Sequence, residues 1–309
     1  MVARDGVEVT NYQFPSVILP FVAKARQTKV ALVGAGSLAH AMGSALKDAG
    51  YSIDAVVSRS LPKSRKRAAA LAQKLGSTVV ALEEFQPASD IIWLCHTDDA
   101  LAETANTLAQ RGKWKNKIVF HSSGALTSDL LAPLGRAGAH VASLHPMMTF
   151  VPGTAPDMAK VPFTVEGDRS AIVAAKEIVR KLKAHIFEIR KEAKVLYHAL
   201  GSFSSPMVVA TLVTAERIGK AAGLSPKQVK KVMTRILLQT VVNYVQRGPA
   251  AAFSGPIKRG DLQTIRRHLR DLRNVPEASE VYRALVKSAL RDLPAGNKTE
   301  LMKLIEESS

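Results

Sequence analysis

The chain has 309 residues, 47% hydrophobic and 22% charged, which is enough for two cores, and its 43 Lys and Arg against 26 Asp and Glu leave a net charge of +17. A single cysteine excludes an internal disulfide, no apolar run is expected to reach bilayer length, and residues 1–27 lack the pattern of a signal peptide, all of which fits a reducing cytoplasm. The positive field attracts anions. The cations are nevertheless spread over both halves, aromatic residues make up only 5%, and no zinc, helix-turn-helix or stacking motif accompanies them. A basic enzyme for small anionic ligands therefore fits better than a nucleic-acid-binding protein, and no membrane partner is expected.

After a short N-terminal extension (1–27), residues 28–43 read TKVALVGAGSLAHAMG. An apolar strand runs from Val30 to Val33 into Gly34, Ala35, Gly36, Ser37, Leu38 and Ala39, where a helix begins. This is the G-x-G-x-x-A turn that holds a dinucleotide pyrophosphate. Gly34 makes the tight turn, Gly36 lets the backbone approach the phosphates, and Ala39 lets the helix pack on the strand. The next strand, Ile53–Val57, ends in Ser58-Arg59-Ser60. An NAD site usually carries an Asp or Glu there for the ribose 2′-hydroxyl, but Asp54 falls too early. Two hydroxyls and a guanidinium suit a 2′-phosphate instead, so NADP is the expected cofactor. Lys63, Arg65, Lys66 and Arg67 read better as a solvated helix end than as direct contacts.

Strands and helices then alternate. A helix over 64–75 precedes a strand at 78–81; a strand at 90–95 precedes a helix over 100–110; a strand at 117–121 precedes a short helix near 128–134 and a strand at 140–144. The pattern predicts an α/β fold, a Rossmann-type doubly wound parallel sheet covered on both faces. Strand-like segments at 163–166 and 186–189 flank a helix over 172–182. From about residue 190 onward the chain is helical, with stop signals at Gly223-Leu-Ser-Pro226 and Gly248-Pro249. The expected division is a nucleotide-binding domain over 28–190 and an all-α domain over 191–309. The Ala, Val and Leu content of the latter suggests a homodimer sharing this layer.

Ligands of open parallel sheets lie beyond the carboxyl ends of the strands. Besides Ser58-Arg59, three such ends carry histidine: His96-Thr97, His121-Ser122-Ser123-Gly124 and His145-Pro146. His96 and Thr97 are expected along the cofactor, and Ser122 and Ser123 offer hydroxyls and backbone N–H groups to the nicotinamide or a substrate oxygen. The histidines lack ligand spacing and clustered carboxylate or thiolate partners, so no metal is expected. Cys95 reads as a small core residue. In the helical part, Lys194 and His198 share a helix face beside Tyr197; buried, they would supply a proton to a polarised carbonyl, and otherwise they are a solvated Lys and a half-buried His. In FSGPIKRGD (253–261), Asp261 is a helix N-cap, and Arg259, between glycine turns, is a candidate for gripping a carboxylate.

The glycine motif, HSSGAL, SLHPMMTF, YHAL and FSGPIKRGD together resemble a group of predicted Rossmann-type oxidoreductases whose helical C-terminal domain has no settled function. That group is similar in layout to pyrroline-5-carboxylate reductase, ketopantoate reductase and the β-hydroxyacid dehydrogenases, and the resemblance covers about residues 28–290. It implies an NAD(P)-binding domain, a helical dimerisation domain and a cleft between them. In the β-hydroxyacid dehydrogenases a helix carries a catalytic Lys and, four residues on, an Asn; Lys194 matches the spacing, and His198 replaces the Asn. The resulting expectation is an NADP-dependent oxidoreductase acting on a small carboxylate-bearing carbonyl or imine, ketopantoate-like by preference. Lys194 or His198 would donate the proton, Ser123 and His145 would orient the substrate, and Arg259 would hold its anionic end. The rival readings are a non-catalytic NADP-binding sensor and a nucleic-acid-associated basic protein.

Overall fold

The computed structural model describes residues 27–151 and 156–307, so the expected N-terminal extension lies, except for Gln27, outside the described residues. The chain divides into two compact units, one ending at Val195 and the other starting at Leu196. The first holds an eight-stranded sheet of β1 (Lys29–Val33), β2 (Ser52–Ser58), β3 (Thr78–Ala81), β4 (Ile91–Leu94), β5 (Ile118–His121), β6 (His140–Pro146), β7 (Pro162–Gly167) and β8 (His185–Glu188). The spatial order is β3-β2-β1-β4-β5-β6-β7-β8.

Both faces of the sheet are covered. Val30 and Leu32 of β1 point into one cluster with α1 (Ser37–Asp48), α2 (Pro62–Leu75) and α5 (Arg169–Lys181). Ala31 and Val33 point the other way, into a cluster with α3 (Asp98–Ala109) and α4 (Ala132–Arg136). Burial on both sides is why the strands read as unbroken apolar runs. Strands β1 to β6 pair in parallel, but β7 pairs antiparallel to β6, and β8 runs with β7. The described part of the 147–161 connection carries no helix to make a crossover, so the chain turns back. The sheet order reverses between β1 and β4, which opens a crevice outside their carboxyl ends.

Helix α6 (Lys194–Ser204) starts in the first unit and continues into the second. There follow α7 (Pro206–Ala221), α8 (Pro226–Arg247), the short α9 (Pro249–Ala252) and α10 (Pro256–Arg259), then α11 (Leu262–Leu272), α12 (Ala278–Asp292) and α13 (Lys298–Glu307). Ile265, Leu269, Val286, Leu290, Leu301 and Ile305 form a core among α11, α12 and α13. Helix α8 opens on a capping box of Ser225 and Gln228. By contrast, α6 to α8 leave Leu196, Leu200, Phe203, Ile236 and Val245 each more than 60% exposed. The 31-residue helical stretch Lys191–Ala221 is long and apolar enough by composition to cross a membrane, correcting the expectation that no run reaches that length. Its apolar residues belong to two helices broken at Ser205, with Pro206 opening the second.

His121, expected at the open end of its strand, is instead fully buried. Its Nδ1 accepts the Ser123 N–H at 3.1 Å, so Nε2 carries the proton and donates to the Thr127 carbonyl at 3.1 Å. Burial, helped by the positive charge of Lys194, pushes its pKa from 6.5 down to about 4. The unfolded chain therefore takes up the proton first, and stability falls as pH drops from 6.5 towards 4. The expected slope is about 1.4 kcal/mol per pH unit. Urea unfolding across this range should show that component in the parent protein and its loss in His121→Gln.

Candidate active site

Most residues of the crevice follow from where β1, β2 and β4 end, and α2 adds the rest. Gly34 leaves β1 with φ +111°, and a Cβ there would sit 3.0 Å from the Cys95 carbonyl oxygen, so both backbone and space require glycine. Gly36 caps α1 in an ordinary extended conformation, yet nothing lies within 4 Å of its missing Cβ. The first turn of α1 has no acidic residue and no side-chain cap. The N–H groups at the start of α1 are therefore uncapped by side chains, and the open space lies beside Gly36, with Ser37 and Leu38 outside its lining. Leu38 itself packs on the core and offers only its backbone.

That space is a cavity of about 160 Å³ lined by Gly34, Ala35, Gly36, Ser58, Arg59, Ser64, Arg67, Cys95, His96 and Thr97. A neighbouring hollow of about 560 Å³ shares Arg59, Ser64 and Arg67 with it. Two lining atoms, Ser58 Oγ and His96 Nε2, are buried and have no hydrogen-bond partner in the protein. Buried polar groups rarely stay unpaired, and of the buried unpaired side-chain atoms among the described residues these two border the cavity. Burial, then the charge of Arg59, pushes the His96 pKa down to about 4, so the ring is neutral. Ser60 departs from expectation: its hydroxyl donates to Glu83 at 2.9 Å, and it does not line the cavity. Ser64 and Arg67 take its place, because the first turns of α2 face the end of β2. Arg67 lines the cavity and is exposed, in keeping with a solvated helix end.

A second cluster lies beyond β5 and β6. Lys194, the first residue of α6, is 1% exposed. Its ammonium donates to the Ser123 carbonyl at 3.0 Å and to Ser143 Oγ at 2.6 Å. Burial lowers its pKa from 10.5 to about 8, against the pull of Glu166 and Asp98. The solvated-lysine alternative is thereby overturned. The Ser123 hydroxyl donates to Asp98 at 2.9 Å and accepts the N–H groups of Ala125 and Leu126, so it shapes the loop, not a substrate. The Ser122 hydroxyl is equally engaged, accepting from Trp93 Nε1 at 2.7 Å and donating to the Leu144 carbonyl at 3.0 Å. His145 lies within β6, opposite Thr164, and not beyond the strand as expected. Ser143 and Glu166 escaped the sequence reading; a lone carboxylate in the apolar strand FTVEG was the available signal.

Of the remaining candidates, His198 is exposed one turn along α6 from Lys194, and Arg259 is exposed at the end of α10. Asp261 caps α11, accepting the Thr264 N–H at 3.0 Å. Among the described residues, no group of three or more His, Cys, Asp or Glu side chains is placed to hold a metal ion.

Residues 21–146 match the Rossmann-like domain, and residues 161–289 match a domain of unknown function, DUF2520. The chain thus joins a Rossmann-like domain to a DUF2520 domain, the second match beginning just before β7. No curated protein matches the chain. Among solved structures, a provisionally assigned NADP oxidoreductase of Bacteroides fragilis is 24% identical with a TM-score of 0.70, over 85% of this chain and 97% of that one. An imine reductase of Myxococcus stipitatus in complex with NADP+ is 15% identical with a TM-score of 0.63, over 85% and 94%. A reductive aminase of Aspergillus terreus in complex with NADPH and ethyl-5-oxohexanoate is 18% identical with a TM-score of 0.56, over 90% and 99%. At these identities the resemblance establishes the shared fold.

The two glycines of the turn separate folding from ligand space. Gly34→Ala should cost about 2 kcal/mol or more of stability. Gly36→Ala should cost less than about 1 kcal/mol. Urea unfolding of the two variants checks this, and equal losses would contradict the open space at Gly36.

Proposed function

We propose that the protein is an NADP-dependent oxidoreductase that transfers a hydride between nicotinamide and a small carbonyl or imine substrate bearing an anionic group. The observation that carries this reading is the pair of unpaired buried atoms, Ser58 Oγ and His96 Nε2, on a cavity at the switch point of the sheet. Gly36 and the start of α1 suit the pyrophosphate, while Ser58, Arg59, Ser64 and Arg67 suit the 2′-phosphate, which guanidinium groups grip bidentately. Neutral His96 and Thr97 would follow the dinucleotide away from β1. The bound cofactor supplies the hydride.

Lys194 is the proposed proton donor. An ammonium with its pKa near 8 keeps its proton at neutral pH yet gives it up readily to an oxygen or nitrogen that is gaining electrons. Ser123 serves through its carbonyl, which fixes that ammonium. His145 is assigned to substrate orientation, Arg259 to the anionic end, and His198 to a secondary role as donor. Imines come ahead of ketopantoate-like keto acids, because the imine reductase and the reductive aminase share this fold with NADP+ or NADPH bound. The exposed apolar faces of α6 to α8 support a homodimer through the helical unit, and the single cysteine suits the cytoplasmic setting proposed for it; a solution mass equal to one 33.2 kDa chain would count against the dimer.

One set of measurements tests the reading. The parent protein should bind NADPH more tightly than NADH by nicotinamide fluorescence. Arg59→Ala should lose tenfold or more of NADPH affinity, the worth of about 1.5–3 kcal/mol for one charged contact, and leave NADH binding nearly unchanged. Lys194→Met should retain NADPH binding while turnover of cyclic imines and 2-oxo acids falls by ~10²–10⁴. Equal affinities for the two cofactors would end the NADP assignment, and cofactor binding without turnover of any substrate would favour a sensor.

A further inference from the structure

The burial of Lys194 raises a question that proton donation alone does not answer: what keeps an ammonium charged where water does not reach. The Ser123 carbonyl is one acceptor and Ser143 Oγ the other. Ser143 is fully buried, and its hydroxyl also donates to the Ser123 carbonyl at 3.3 Å. With that proton committed, its oxygen can only accept from Lys194. Directly across the antiparallel β6–β7 pair from Ser143 stands Glu166, so both side chains leave the sheet on the same face. Glu166 is itself buried, and its carboxylate is held by the Ser128 N–H and the Ser128 hydroxyl, each at 2.7 Å.

Resting on the reading of Lys194 as proton donor, we propose that Ser143 and Glu166 are positioning residues which hold the Lys194 ammonium, charged, against the Ser123 carbonyl. Ser143 supplies an acceptor, and Glu166 supplies a negative charge whose carboxylate is fixed in place by Ser128. The other groups facing Lys194 are Asp98, which also favours the charged form, and His121, which stays neutral. Lys191, close by, draws on Glu166 as well and is paired with Asp129. Neither Ser143 nor Glu166 needs to touch substrate.

The sign of each substitution follows. Ser143→Ala removes an acceptor of the charged form, and Glu166→Gln removes the charge while keeping the shape that Ser128 bonds. Both should lower the Lys194 pKa below its value of about 8. In the full-length protein with NADPH, ε-¹³C-lysine NMR follows Lys194 directly, its resonance identified by loss in Lys194→Met. Each variant should titrate about one unit lower than the parent, while Ser143→Thr, which keeps the hydroxyl, should titrate with the parent. With 1-pyrroline as probe, the alkaline limb of kcat/KM should move by the same amount, about a tenfold loss of activity above the limb. An unchanged Lys194 titration in both Ser143→Ala and Glu166→Gln would overturn the proposal. A shifted titration with an unmoved limb would uphold the positioning roles and overturn Lys194 as donor, and where 1-pyrroline is not turned over the titration alone decides the positioning roles.

Discussion

Taking an ammonium out of water costs several kcal/mol unless its protons find acceptors, and much of the sheet's far half is organised around meeting that demand for Lys194. The Ser123 carbonyl has to face inward, which fixes the HSSGAL loop. The loop is pinned in turn by Asp98 at the start of α3 and by His121 at the end of β5. A nearby carboxylate lowers the cost, and Glu166 can be buried only because the turn at Ser128 offers it two donors. The reversed direction of β7 is what brings Glu166 opposite Ser143. A strand running parallel to β6 would have the register of a different pairing.

The near half of the sheet differs, for there Ser58 Oγ and His96 Nε2 are buried without partners. Strand order sets the crevice between β1 and β4, and three strand ends deliver Gly34, Ser58 and His96 to it. The tight turn at Gly34 is paid for in conformational freedom, since only glycine tolerates φ +111° so close to Cys95. Its return is an approach to the helix start unobstructed by side chains.

How much of this was legible in the sequence depends on the range of the interaction that creates it. The glycine turn, the alternating elements and the Asp261 cap are local, written within a few residues, and each stands where the pattern puts it. That Arg67 also borders the cavity depends on the end of β2 lying beside the start of α2, a tertiary approach that the run of four cations does not announce. Ser60 was misassigned for a similar reason, as Glu83 lies 23 residues away in sequence. Ser143 and Glu166 are non-local altogether: Lys194 is 51 residues from Ser143, and no spacing rule links them. The apolar length of 191–221 was hidden by the proline that divides it.

The two clusters use different cations for a physical reason. At the end of β2 the cations are guanidinium groups, Arg59 and Arg67, whose planar fork of donors matches the geometry of an oxyanion. An ammonium is compact and responds to burial, so the same dry surroundings that merely cost energy at an arginine bring Lys194 into the range where a proton can be exchanged. Replacing Lys194 by Arg would keep the charge but put a planar, bulkier fork where a compact ammonium sits between Ser123 and Ser143. Replacing Arg59 by Lys would keep the charge but lose the bidentate fork. The two residue types are therefore set in different surroundings within a single sheet, the arginines exposed at the end of β2 and the lysine buried beside β6.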